Sequence, residues 1–181
     1  MRVVAIIGTA GRDKNRPMTA ELWRAMLADA KARVSSTDTL VSGGAAWADH
    51  LAVRLYLDGD VQHLVLHLPA PLVDGQFAGP KNASAGSVAN YYHARFKQAT
   101  RVDGIAEIAQ AIAKGAEVTE QPAAKGYGAM FARNALVARG CDSLLAYTFG
   151  DWDVPEDGGT KNTWDKARDA QRLHISLKDF V

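Results

Sequence analysis

Apolar residues along this chain fall into short unbroken runs, separated by longer stretches in which they recur every three or four positions. Val3 to Ile7, Thr39 to Ser42, His63 to Leu68 and Ser143 to Thr148 carry the runs, and His174 to Leu177 ends the series. Continuous apolar character is what a strand covered on both faces requires. Between the runs, 17–33, 45–57, 105–114, 127–139 and 163–170 read as helices. In the first of them Leu22, Met26 and Ala30 share one face at four-residue spacing, and Pro17 suits a first turn. Strands alternating with helices imply right-handed crossovers, hence an α/β domain with a doubly wound, mainly parallel sheet and helices on both faces.

One segment breaks the rhythm. Residues 74–90 are rich in Gly, Pro, Asn and Ser and precede Tyr91-Tyr92-His93-Ala94-Arg95-Phe96. A structureless loop of that length is uncommon in a compact domain, so a functional excursion over the sheet edge, with a short helix in it, is expected. The whole chain, 1–181, then reads as a single domain with an insertion at about 72–100.

The ends of three strands carry glycine. Gly8-Thr9-Ala10-Gly11-Arg12 follows the first, Ser42-Gly43-Gly44 the second, and Gly158-Gly159-Thr160-Lys161-Asn162-Thr163-Trp164 comes after the run that ends near Phe149. Glycine lets a ligand approach the backbone, and the start of a helix offers unpaired N–H groups with a favourable dipole for a phosphate or ribose. In a doubly wound sheet the ligand lies outside the carboxyl ends of the strands, so three such loops define one shared crevice. The dinucleotide fingerprint is absent: a third glycine is missing after Gly11, and no acidic residue stands at a second strand end. The P-loop lysine motif is absent too. A nicotinamide-dependent dehydrogenase and a P-loop NTPase are therefore set aside.

Composition narrows the partners. A net charge of +1 over 181 residues argues against a surface built to neutralise nucleic-acid phosphates. The single cysteine, Cys141, excludes an internal disulfide, suits a reducing compartment and reads as a structural thiol. Met1-Arg2 runs straight into the first strand without a signal peptide, and no apolar stretch approaches the roughly 18 residues of a membrane span. The expected location is the cytoplasm. The five histidines are scattered and His93 has no partner at metal-ligand spacing, so neither a metal nor a cofactor is expected beyond a nucleotide-type ligand.

Taken together, Ile7-Gly8-Thr9-Ala10-Gly11-Arg12, Leu40-Val41-Ser42-Gly43-Gly44-Ala45-Ala46-Trp47-Ala48-Asp49, Phe131-Ala132-Arg133-Asn134 and Gly158-Gly159-Thr160-x-x-Thr163 resemble the SLOG superfamily. The similarity spans most of the chain outside 72–126, and Ser-Gly-Gly-x-x-x-Ala-Asp is its most specific part. That superfamily contains the DNA-processing protein of natural transformation, the "lonely guy" phosphoribohydrolases and nucleotide-sensing domains of bacterial defence systems. The resemblance implies a Rossmann-like sheet whose glycine loops hold a nucleotide or nucleotide-derived signal, and a homodimer or higher homo-oligomer. The hydrolase members carry Met-x-x-Arg-Lys opposite Pro-Gly-Gly-x-Gly-Thr-x-x-Glu, with the arginine and glutamate implicated in cleaving the N-glycosidic bond. Met130 and Arg133 match the first motif. In the second, Thr163 stands where the glutamate would be, and Asp165 on the same helix would point about 200° away. Glycoside cleavage wants a carboxylate near an oxocarbenium-like state, for which Asp49 or Asp151 are the candidates beside Arg133.

The residues themselves leave alternatives open. Gly43 and Gly44 serve a tight turn, a ligand, or both; Arg12 and Arg133 hold a phosphate or carboxylate, or make salt bridges. Thr160 and Thr163 cap the helix and can still meet a ligand. Asp49 caps backbone groups of the second loop or acts in the crevice, and Asn134 adjoins it. Trp47 and Trp164 are core or stack on a base. Tyr91, Tyr92 and Phe96 are the packing face of the insertion helix rather than a base clamp. Two functions from different classes follow. One is a protein that binds a phosphorylated-ribose or ADP-ribose type ligand as sensor, carrier or sequestering agent. The other is an N-glycosidic hydrolase or transferase on a nucleoside monophosphate or ADP-ribose-type molecule. Single-stranded DNA binding is a third reading, disfavoured by the charge.

Overall fold

The computed structural model describes residues 1–156 and 158–181. In chain order it forms β1 (Val3–Gly8), α1 (Ala20–Arg33), β2 (Thr39–Ser42), α2 (His50–Leu57) and β3 (His63–Leu68). A two-residue hairpin, β4 (Leu72–Val73) and β5 (Gln76–Phe77), then leads to α3 (Ala85–Thr100). The rest is α4 (Gly104–Lys114), β6 (Glu117–Glu120), α5 (Gly128–Arg139), β7 (Ser143–Thr148), α6 (Gly159–Lys166) and β8 (Gln171–Ser176). The large sheet has the order β6-β3-β2-β1-β7-β8, with every neighbouring pair parallel.

Side chains alternate across the sheet, and each face buries its own core. Val4 and Ile6 of β1 pack with Leu22, Met26, Leu51, Phe96 and Ile108, so α1 to α4 cover one face. Ala5 and Ile7 pack with Val137, Ala138, Trp164 and Ala167, so α5 and α6 cover the other. This is the doubly wound, Rossmann-like arrangement that the apolar runs predict. The chain winds outward from β1 through β2 and β3 to β6 and then crosses back to β7, which places the switch in strand order between β1 and β7. No helix among the described residues is long and apolar enough to cross a membrane.

Element boundaries depart from the sequence reading where capping chemistry outweighs periodicity. Helix α1 begins at Ala20 rather than Pro17, because the Thr19 side chain accepts the N–H of Leu22 at 3.1 Å. Helix α2 begins at His50, not Ala45, since a 3₁₀ turn, Trp47–Asp49, intervenes with Trp47 at φ +64°. Helix α6 occupies Gly159–Lys166 instead of 163–170. Strand β8 starts at Gln171, three residues early, because its first half, Gln171-Arg172-Leu173, is exposed, as an edge strand is, and carries no apolar run. Strand β6 is absent from the sequence reading: Glu-Val-Thr-Glu at the opposite edge carries charge instead of an apolar run. The insertion helix is long, 16 residues, and starts on a capping box between Ser84 and Ser87.

Helix α3 is tied to the second glycine loop by His93, which is buried and donates from Nε2 to the Gly44 carbonyl at 3.0 Å. Its Nδ1 has no partner among the described residues. Burial pushes the imidazole down to about 4; His50 and Arg133 act in the same direction, while the Gly44 carbonyl and Asp103 oppose them. The folded state therefore keeps His93 neutral where the unfolded chain, at about 6.5, takes up a proton. Stability from this residue is complete above the unfolded value and is lost as pH falls toward about 4. Urea unfolding of wild type against His93→Gln should show wild type losing about 3 kcal/mol relative to the variant from neutral pH down to that range. A constant difference across the range would contradict the buried neutral imidazole.

Candidate functional site

The site begins where β1 ends. Gly8 has no room for a side chain: a Cβ there would lie 2.1 Å from the Tyr147 carbonyl oxygen and 2.5 Å from the Ala48 Cβ. That close approach lets Thr9 N–H donate to Tyr147 O at 2.9 Å, carrying the β1–β7 pairing to the edge of the crevice. The Thr9 hydroxyl then accepts the Gly11 N–H at 3.1 Å, and Gly11 turns the chain at φ +77°. Arg12 emerges with its guanidinium 5.3 Å from the centre of the Tyr92 ring on α3.

The second loop is built around a buried hydroxyl. Ser42 Oγ donates to the Asp49 carbonyl at 2.8 Å and accepts the Gly44 N–H at 3.1 Å, so its role is to fold the turn. Gly43 faces the crevice, where a Cβ would stand 2.7 Å from Asp49 Oδ2 and 3.0 Å from Arg133 Nε. Arg133 reaches in from α5 and donates from Nη1 to the Gly43 carbonyl at 3.0 Å and from Nη2 to Asn134 Oδ1 at 3.4 Å. Its Nε is buried and has no partner among the described residues. Burial pushes the Asp49 carboxyl up from the usual range, against the pull of Arg133 and of the backbone N–H groups of Ala45, Gly43 and Gly8. Burial likewise pushes Arg133 down, and Asp49 opposes it.

The third loop is pinned from beneath. Thr148 Oγ1 accepts the N–H groups of Gly150 at 3.1 Å and Glu156 at 3.3 Å, and bonds His174 Nε2 at 2.8 Å. The other ring nitrogen of His174 donates to the Trp152 carbonyl at 2.7 Å. Arg16 donates to the Phe149 carbonyl at 3.2 Å and forms an ion pair with Glu156. Helix α6 then starts at Gly159, whose carbonyl accepts from Asn134 Nδ2 at 3.4 Å and from the Thr163 hydroxyl at 3.2 Å.

These loops enclose a crevice of about 250 Å³ at the switch between β1 and β7. Gly8, Thr9, Ala10 and Arg12 line it from the first loop, and Gly43 and Asp49 from the second. Arg133 and Asn134 contribute from α5, and Gly158, Gly159, Thr160 and Thr163 from the third loop. Gly11, Ser42 and Gly44 lie outside the lining and shape the turns behind it. Gly44, at φ +71°, abuts Leu68 instead.

The aromatic and acidic candidates divide. Trp47 is buried, its ring edge-on to Phe96 with centroids 4.9 Å apart, so it belongs to the core rather than to a base-stacking site. Trp164 is buried too and lies under Arg172, 5.0 Å from the ring centre, on the α6 side of the sheet. Both burials follow from apolar area that the helix faces would otherwise leave wet. Asp151 is exposed and ion-paired to Lys178 at 2.5 Å, away from the crevice, while Asp49 lines it. Phe96 is fully buried, Tyr92 half-buried at the crevice wall and Tyr91 exposed, so the insertion helix has both a packing face and a crevice face.

Sequence reasoning passed over Glu156, Thr148 and Asp13, and the contribution of Val88 and Ala89 from α3. Glu156 was findable, since it stands two positions before the glycine pair. The α3 residues carry no such signal, because the long insertion hides which of its faces turns inward.

No known protein-family profile matches the chain. The uncharacterized protein R261 of Acanthamoeba polyphaga mimivirus is 30% identical over 187 residues, spanning 98% of this chain and 97% of that protein. The structure of DNA processing protein A from Helicobacter pylori, reported for its single-stranded DNA binding mode, is similar at a TM-score of 0.46 and 18% identity. The similarity covers 99% of this chain and 78% of that one.

Thr148 is the point on which the third loop depends. Thr148→Val leaves the Gly150 and Glu156 N–H groups without their acceptor, which should cost about 1–3 kcal/mol in urea unfolding. Amide exchange in 149–156 should rise in step. An unchanged unfolding midpoint would mean that the loop holds itself in place.

Proposed function

The chain belongs to the same family as the mimiviral protein R261, and from its crevice we propose that it binds a nucleotide or nucleotide-derived ligand of the phosphorylated-ribose or ADP-ribose type. The observation that carries this reading is Arg133. A guanidinium whose Nε is buried, with no partner among the described residues, is a site prepared for an anionic acceptor. The start of α6 adds the unpaired N–H groups of a helix's first turn on one flank. The motifs and the doubly wound fold support placing the chain in the SLOG superfamily.

Holding the ligand fits better than cleaving it. Thr163 stands where the hydrolase motif carries glutamate, and its hydroxyl is spent on the Gly159 carbonyl. The hydrolase reading retains one specific support: three carboxylates, Asp13, Asp49 and Glu156, line the same crevice. Asp49, raised by burial, is the better proton carrier of the three, while Asp13 and Glu156 are both paired with Arg16. A strand of nucleic acid would need a basic track, which a net charge of +1 does not favour.

Calorimetric titration with AMP and with ADP-ribose tests the proposal. Wild type should bind at least one of them, and Arg133→Ala should weaken that binding by roughly 1.5–3 kcal/mol, as for a hydrogen bond to a charged group. Equal affinity in the variant would remove Arg133 from the site. Release of free base from AMP, CMP or NAD should stay below about 0.1 s⁻¹, far under ordinary turnover. Faster release would establish the hydrolase reading, with Asp49 and Glu156 the first residues to replace.

A further inference from the structure

The crevice does not close at Arg133. Past Arg12, Met130 and Asn134 it opens into a second lobe of about 790 Å³, walled on its outer side by Tyr91, Tyr127 and Phe131. These rings are 54%, 48% and 55% exposed and belong to neither core. Large aromatic side chains gathered half in water, on one wall of a concave surface, mark a binding surface rather than packing. Tyr91 comes from the outer face of α3, Tyr127 and Phe131 from the first turn of α5, so two elements supply one wall.

Size and charge say what the wall is for. The inner crevice, at about 250 Å³, is smaller than the roughly 300 Å³ at which pockets for drug-sized ligands begin. It suits a phosphorylated ribose; a flat apolar group attached to that ribose must lie in the outer lobe. Arg12 and Arg133 line both lobes, so an anion held between them is within reach of the rings. Arg95 lies over the Tyr91 ring, and Arg12 over the neighbouring Tyr92, so guanidiniums border the wall on the α3 side. Asn82, Ser87 and Asn162 at the rim can exchange hydrogen bonds with the polar edge of a base.

We propose that Tyr91, Tyr127 and Phe131 form a stacking shelf for the nucleobase of a small nucleotide whose phosphorylated ribose occupies the glycine-loop crevice. The proposal rests on the function proposed above. The shelf belongs to this chain's insertion and the α5 start, outside the glycine motifs. It serves a single nucleotide rather than a strand, because two arginines shared between the lobes match one or two phosphates and not a row of them.

Calorimetry on the full chain, with ribose 5-phosphate and AMP as paired probes, separates the two claims. AMP should bind about tenfold tighter or more, the contribution of one stacked base. In Tyr127→Ala/Phe131→Ala the ratio of the two affinities should fall to near one, and in Phe131→Tyr, which keeps the ring, it should persist. Equal affinities in wild type overturn the shelf and leave the crevice reading intact. Binding of neither probe overturns both. Displacement of AMP by a single-stranded oligothymidylate at concentrations below those at which AMP itself saturates overturns the single-nucleotide occupant. A wild-type dimer in light scattering that the double variant turns into monomers reassigns the rings to a contact between copies, and overturns the shelf as well.

Discussion

Arg133 crosses from α5 to the carboxyl ends of the strands, where its Nη1 ties down the Gly43 carbonyl and its Nε ends unpartnered. Burying a cation is costly unless its donors are met and an opposite charge stands near. Asp49 supplies the charge from within the second loop, and the Gly43 carbonyl meets one donor. Gly43 must be glycine for this, because a Cβ would press against both the carboxylate and the guanidinium. The loop conformation, the position of α5 and the electrostatics of the crevice are thus set by one arrangement, which leaves the Arg133 Nε with no partner among the described residues.

The fold makes that arrangement reachable. Winding outward from β1 and then back across to β7 leaves a cleft at the switch, into which loops from β1, β2 and β7 all open. The contact at Gly8 keeps β1 and β7 paired to the cleft's edge, and the Thr148–His174 pair holds the longer β7–α6 loop against the last strand. Helix α3 closes the remaining side, buried by Phe96 and fixed to the second loop through His93. A rigid floor with one aromatic side is the result.

Much of this was legible in the sequence because it rests on local signals. Unbroken apolar runs mark strands covered on both faces, and β1, β2, β3 and β7 lie where the runs are. The crevice glycines stand out because nothing else in the chain puts glycine at successive strand ends. What escaped depends on tertiary context. Strand β6 is paired through its backbone while its side chains face water, so its Glu-Val-Thr-Glu composition gives no sign of a strand. Trp47 and Trp164 sit in ligand-like sequence positions but turn inward, and only the packing of α3 and α6 shows it. Glu156 enters the crevice through an ion pair with Arg16, 140 residues away in the chain.

The proposed function rests on a buried guanidinium donor with no partner among the described residues and on the first-turn N–H groups of α6, both at a crevice of about 250 Å³. Crystals soaked with AMP or ADP-ribose test this most directly. A phosphate within hydrogen-bond distance of Arg133 Nε, contacted by backbone N–H groups of residues 9–12 or 159–163, is the predicted result. A ligand seated elsewhere on the protein, or an empty crevice at saturating ligand, would contradict the account.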